Sequence, residues 1–133
     1  MTRLIAVRPW PRFALAAAND LFAKVATMTF PTQAAVPTAR GSRYLQQLCK
    51  HWAHNLAVEF SPEHGTVTFP RDVRGADYPG DALLTFDARA DALDVRIDAT
   101  SPEQRDALKD VVARHVDRFA FREAPLPFDW QDF

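Results

Sequence analysis

Apolar residues recur at helical spacing in two stretches of the chain and at alternate positions in several others. Leu45, Leu48, Cys49, Trp52 and Leu56 lie along one side of a helical wheel, while Arg43, Gln47, Lys50 and His54 fall on the other. That split predicts an amphipathic helix with Ser42 as its N-cap and an end near Leu56. A second helix, over residues 102 to 120, is announced by Ser101-Pro102-Glu103-Gln104, a capping box with proline at the first helical position. Its expected buried stripe is Leu108, Val111, Val112, His115 and Phe119.

Between and before the helices the period changes to two. Residues 32 to 39 read as a short strand leading into the first helix, with Pro37 limiting its length. Val58-Glu59-Phe60 and Thr66-Val67-Thr68-Phe69 flank Ser61-Pro62-Glu63-His64-Gly65 and predict a hairpin with Val58, Phe60, Val67 and Phe69 turned inward. A second pair, Leu83 to Asp87 and Leu93 to Ala99, turns at Ala88-Arg89-Ala90-Asp91. In its second strand Leu93, Val95 and Ile97 alternate with Asp94, Arg96 and Asp98, the pattern of a sheet with one wet face. Pro70 to Asp81, rich in Pro, Gly and Asp, reads as a loop or irregular edge. The order is β-α-β-β-β-β-α, and short connections favour sequential antiparallel pairing. The expected fold class is therefore α+β, a curved antiparallel sheet with two helices on one face. The tail residues Phe128, Trp130 and Phe133 are expected to pack back on the domain.

Composition narrows the picture without changing it. A chain of 133 residues, 47% apolar and 25% charged, fits one globular domain with a single core. Cys49 is its only cysteine, so no internal disulfide forms and a reducing cytoplasm is the natural setting. Its place on the apolar stripe makes it a small hydrophobe, not a nucleophile. No apolar run is long enough for a membrane span. Arg3, Arg8, Arg12 and Lys24 stand against Asp20 near the start, and the net charge of −1 leaves the rest mildly acidic. Such a body offers no basic stripe for phosphate backbones, so nucleic acid is not an expected partner. Residues 1 to 27 carry broken patterns, and their apolar run from Phe13 to Ala18 is short for a signal core. They are expected to be an extension from an upstream start, with residues 28 to 133 as the domain and an ordered core from about Thr32 to Trp130.

The histidines are the only residues of this sequence whose pattern points to a site. His51 and His54 lie three apart on the first helix and His64 follows in the next loop, beside Glu63. Neutral imidazoles so spaced are competent metal ligands, and a metal site on His51, His54 and His64 stands against the plainer reading of solvated histidines. His115 falls among Leu108, Val112 and Phe119, where a buried imidazole needs a hydrogen-bond partner. A glycine-rich phosphate loop, a His-Glu-x-x-His motif, a paired-cysteine zinc spacing and a Gly-x-Ser-x-Gly elbow are all absent from the sequence.

The helix SRYLQQLCKHWAH (42 to 54), the following VEFSPEHG (58 to 65) and the late HVDRFAFRE (115 to 123), ending near Trp130, together resemble a family of small bacterial proteins, domain of unknown function family 2218. The resemblance runs from near Met28 onward and implies a bacterial source. It carries no assigned reaction and no site residue. Related domains resemble companions of siderophore-interacting, flavin-dependent ferric reductases, which implies a role around iron acquisition and such a reductase as a protein partner. The expected function is thus a non-enzymatic accessory or binding domain, working without a cofactor. Its rivals are a metal-binding protein or metal-dependent enzyme using His51, His54 and His64, and an interaction adaptor working through Phe128 and Trp130.

Overall fold

The computed structural model describes residues 29–133; the expected extension over residues 1 to 27 lies outside them. In chain order the elements are β1 (Phe30–Pro37), α1 (Gly41–Trp52), β2 (Ala57–Phe60), β3 (His64–Phe69), β4 (Ala82–Ala88), β5 (Ala92–Ala99), α2 (Pro102–Phe119) and β6 (Gln131–Asp132). A single turn of 3-10 helix, Val73–Gly75, interrupts the long connection between β3 and β4. The strands form one six-stranded sheet in the order β2-β3-β4-β5-β1-β6, every pair antiparallel. This is the expected α+β class, with one strand more than the alternation reveals.

Register sorts the side chains onto two faces. Val67 pairs with Leu84, Leu84 with Ile97 and Ile97 with Thr32, while Phe86 pairs with Val95 and Val95 with Ala34. These residues form the inner face. Leu45, Leu48, Cys49 and Trp52 of α1 and Leu108, Val112 and Val116 of α2 join them in one buried cluster, so both helices lie on that face. Burial of each large apolar side chain there contributes about 1.5–3 kcal/mol. Trp52 links the layers: its ring stacks on Phe86 at 6.3 Å and meets Phe69 edge-on at 5.5 Å.

Several local expectations need correction. The N-cap of α1 is Arg40, not Ser42, and no side chain caps it. Ser42 Oγ instead donates to the Pro62 carbonyl at 2.6 Å, tying the helix to the β2–β3 loop. The helix ends at Trp52, and the next residues turn back through hydrogen bonds from the Asn55 and Leu56 amides to the Trp52 carbonyl. Phe60 shares the inner face with Gly65, its partner in register, but β2 is the edge strand and leaves Phe60 39% exposed. On the opposite face Asp94 is only 1% exposed, not wet, because the Arg89 guanidinium clasps both its oxygens at 2.7 and 2.8 Å. Arg96 and Asp98 form a similar pair on that face, at 2.9 Å for both contacts.

The α2 cap forms with a shift. Ser101 Oγ accepts from the Gln104 amide at 3.1 Å as a capping box requires. The Gln104 side chain reaches past Ser101, where its Oε1 accepts from the Thr100 amide at 2.7 Å and its Nε2 donates to the Gly80 carbonyl at 3.0 Å. That buried amide pins the end of the 70–81 connection and with it the β3–β4 register. The tail also does more than pack. Phe128 and Trp130 stack at 5.5 Å, and Gln131 and Asp132 then pair with Gln33 and Thr32 as β6. Lys109 Nζ of α2 holds the Asp132 carboxylate at 2.9 Å and keeps it below the usual carboxylate range. Phe133 stays exposed, beneath the Arg96 guanidinium at 4.9 Å.

Helix α1 approaches the sheet closely at Gly65. A Cβ there would come within 2.9 Å of Cys49 Sγ and 3.2 Å of Phe60 Cβ. Gly65→Ala should therefore overpack the α1–β3 interface and lower unfolding free energy by about 1–3 kcal/mol, read as a drop in urea midpoint at unchanged slope. An unchanged midpoint would mean that α1 slides away at no cost.

Candidate functional site

The three histidines singled out by sequence go three ways. Gly65 and Val67 turn inward, so His64 projects to the outer face of β3, away from α1. There its Nδ1 lies 2.8 Å from Asp87 Oδ1. Burial pushes the Asp87 carboxyl up, and the His64 hydrogen bond opposes that shift. His54 is exposed beyond the end of α1. His51 sits at the margin of the α1 stripe and meets His115 of α2, with ring centres 5.5 Å apart. Among the described residues no group of three or more His, Cys, Asp or Glu side chains could hold a metal ion. The physical reason is the apolar stripe of α1: it faces the sheet, and one face of that sheet cannot be reached from the other.

His51 and His115 instead form part of an aromatic seam between the helices. The His115 ring lies 5.1 Å from Trp52, and the His51 ring 5.7 Å from Phe119. His115 Nδ1 donates to the Val111 carbonyl at 2.7 Å; a carbonyl only accepts, so that nitrogen carries the proton. Burial, with the like charges of His115, Arg118 and His54 behind it, holds His51 below the ordinary imidazole range. The pair is thus a packed contact between helices. Cys49 is fully buried, and burial pushes its thiol up to about 11, which leaves it protonated and inert at neutral pH.

Above this seam, where the first turns of α1 run beside the chain leaving α2, a cleft of about 200 Å³ opens. Arg40, Arg43 and Gln47 line one wall, and Phe119, Phe121 and Arg122 the other, with Tyr44 at its base. Residues 40, 43, 44 and 47 share a side of α1 because a helix brings every third and fourth residue together. The two walls are clamped by Glu123. Its carboxylate accepts from Thr38 Oγ1 at 3.0 and 3.1 Å and from the Tyr44 hydroxyl, and Arg40 Nη1 stands 3.8 Å away. Tyr44 foremost, then Thr38 and Arg40, hold the Glu123 carboxyl below its ordinary value. The Tyr44 phenol is pushed up, first by burial and then by Glu123, so it stays a hydrogen-bond donor.

Charge in the cleft is not balanced. Glu123 offsets Arg40, but among the described residues no carboxylate pairs with Arg43 or Arg122. Arg122 instead lies 5.9 Å from the Phe121 ring, itself 71% exposed. Gln47 Oε1 is buried and makes no hydrogen bond. The arrangement is a cationic cleft with phenyl rings in its lining. Sequence patterns placed Arg43 and Gln47 only on the polar side of α1. A stronger signal was present: α1 has no acidic residue in its first turn, and Arg40 and Arg43 put cations at the positive end of the helix dipole.

The model of one protein family, described as an uncharacterized protein conserved in bacteria (DUF2218), matches residues 33–131. The chain belongs to that family. The match runs from within β1 to the first residue of β6, and so includes the cleft and its clamp. Among solved structures, the NMR structure of PA4090 from Pseudomonas aeruginosa is similar, with 28% identity and a TM-score of 0.60 over 77% of this chain and 95% of that one. Its likeness supports the same sheet-and-helix architecture for both proteins. No curated protein matches the chain. The described residues contain no helix long and apolar enough to cross a membrane.

The Glu123 clamp has a pH signature. A carboxyl whose folded pKa is depressed contributes stability above its unfolded value, near 4.5, and loses it as pH falls through the folded pKa. Glu123→Gln should therefore be less stable than the parent at pH 7, and the gap should narrow steadily below about pH 4. Urea unfolding of both proteins at pH 7 and pH 3 measures this. A gap that persists undiminished at pH 3 would show that the charge of Glu123 is irrelevant to the clamp.

Proposed function

We propose that this protein is a non-enzymatic accessory domain of the bacterial cytoplasm that binds a small anionic ligand in support of ferric-siderophore handling. The binding part of this reading is carried by one observation: Arg40, Arg43 and Arg122 line one cleft, and among the described residues the carboxylate beside it, Glu123, is already shared with Tyr44 and Thr38. Guanidinium groups with aromatic neighbours recognise planar anions by forked hydrogen bonds and by stacking. The groups facing the cleft are donors, guanidiniums and phenyl rings, which suit holding a ligand more than transforming it. Net charge near neutral with a local basic cleft also steers anions to this spot.

The iron-handling part rests on the family resemblance and on the reductase companions that it implies, with a siderophore-interacting reductase as the proposed partner. Size restricts what enters: about 200 Å³ is below the roughly 300–1,000 Å³ of pockets that engulf drug-sized ligands. The cleft therefore takes one anionic arm of a larger molecule and leaves the rest in solvent or against a partner.

Isothermal titration with a panel of apo and ferric siderophores tests the reading. At least one should bind saturably, and the double substitution Arg43→Glu with Arg122→Glu should weaken it by tenfold or more. The recovered ligand should be chemically unchanged by mass spectrometry. Failure of every siderophore to bind would remove the iron connection, and repeated turnover of any ligand would remove the non-enzymatic assignment.

A further inference from the structure

We infer that the protein carries a second ligand site, separate from the Arg40–Arg122 cleft, which takes a small amphiphile: one carboxylate on an apolar body of about ten carbons. The site is a cavity of about 310 Å³ between the β3–β4 connection and the first half of α2, and it does not depend on the binding role proposed above. Pro70, Val73 and Ala76 line it from the connection, Leu108 and Val111 from the helix. That volume falls within the range of ligand pockets, and a mostly apolar lining with few polar groups is their usual make-up.

The connection is held by polar ties, not by apolar packing against α2. Arg71 Nε donates to the Tyr78 carbonyl at 2.8 Å, the Tyr78 amide donates back to the Arg71 carbonyl at 3.0 Å, and the Arg71 amide donates to Asp81 at 2.8 Å. Val73 and Ala76 are consequently left only half-buried. Gln104 also lines the cavity, but its Oε1 accepts from Thr100 and its Nε2 donates to the Gly80 carbonyl, so its amide asks no polar group of a ligand. An apolar body suits such walls. A cavity of about 150 Å³ takes the six carbons of benzene, so about 310 Å³ takes roughly twelve non-hydrogen atoms.

Arg74 supplies the charge. It is the one charged side chain in the lining, and among the described residues it forms no ion pair, while its neighbour Asp77 is taken by Arg71. Its backbone stands at φ 55 and ψ 36, in the left-handed region that glycine enters without strain and arginine does not. The fold thus accepts a strained residue at the position that gives the cavity its cation. One guanidinium matches the two oxygens and single charge of a carboxylate, whereas a phosphate monoester brings nearly two charges to an apolar wall.

The test titrates the isotope-labelled full chain with hexanoate, octanoate, decanoate, dodecanoate, decanol and decyl phosphate, below micelle-forming concentrations, following the methyl resonances of Val73, Leu108 and Val111. Octanoate should bind roughly tenfold or more tighter than hexanoate, and the gain should stop near decanoate as the cavity fills. Arg74→Gly should weaken decanoate roughly 2- to 5-fold, the worth of a partly exposed ion pair, leave decanol unchanged, and keep or raise the urea midpoint. Ala107→Trp, at an exposed position of α2 that lines the cavity, should abolish binding with the midpoint unchanged. Decyl phosphate binding tighter than decanoate, or equal loss of decanol on Arg74→Gly, would overturn the carboxylate assignment. A lowered midpoint in Arg74→Gly would show that Arg74 serves the fold. Shifts confined to residues around Arg43, or no saturable shift at all, would remove the second site and leave the cleft reading untouched.

Discussion

The chain leaves β1 near one end of the sheet and resumes at β2, the strand at the opposite edge, so α1 has to cross the inner face between them. That crossing governs the rest of the structure. It demands an apolar stripe along the whole of α1, which Leu45, Leu48, Cys49 and Trp52 supply, and it demands close approach at one point, which Gly65 permits by having no side chain. Once α1 is seated over β3, β4 and β5, the remaining inner surface over β5 and β1 is left for α2. Trp52, touching Phe69, Phe86 and His115, is the residue at which sheet, first helix and second helix meet.

The same crossing makes the cleft. Because α1 starts beside β1 and α2 ends over the same part of the sheet, the first turns of one helix face the chain leaving the other. Tyr44 sits at the boundary, its ring in the core and its hydroxyl on Glu123. Glu123 then reaches Thr38 at the end of β1, so three separate pieces of chain are joined at one carboxylate. A substitution there acts on stability and on the cleft at once, whereas Arg43, Phe121 and Arg122 project from walls that the fold does not need in order to stand.

Patterns in the sequence disclosed the elements that bury a continuous face. Both helices and the strands β2 to β5 announce themselves through period, because a stripe of Leu45, Leu48, Cys49 and Trp52 or an alternation of Leu93, Val95 and Ile97 is imposed by the core. What depended on partners distant in sequence stayed hidden. Gln131 and Asp132 have no alternation to display, and they become a strand only because Lys109 and the edge of β1 receive them. Ser42 has the right side chain for an N-cap, but Pro62, twenty positions on, takes its hydroxyl. Asp94 alternates like a wet residue and is dried by Arg89 from the neighbouring turn. The histidines drew attention by type and spacing, while the cleft is assembled from residues around positions 40 and 120 that no local spacing relates. Only the knowledge that α1 and the end of α2 meet brings them into one place.

Electrostatics of α1 ties these strands of argument together. A helix is most stable with acids in its first turn and cations in its last. Lys50 and His51 at the end of α1 obey that rule, but its start carries Arg40 and Arg43 and no acid at all. Each such misplaced cation costs a few tenths of a kcal/mol to about 1 kcal/mol at an exposed site. Glu123 answers for one of them from outside the helix, at 3.8 Å from Arg40, and among the described residues no carboxylate pairs with Arg43 or Arg122. The chain has more acidic than basic residues, so carboxylates are not scarce. Their absence at this one place keeps the cleft positive at some cost to the helix. On the binding role proposed above, an anion held beside Arg43 would supply the counter-charge that the start of α1 lacks, and relief of that unfavourable helix-end interaction would contribute to its affinity.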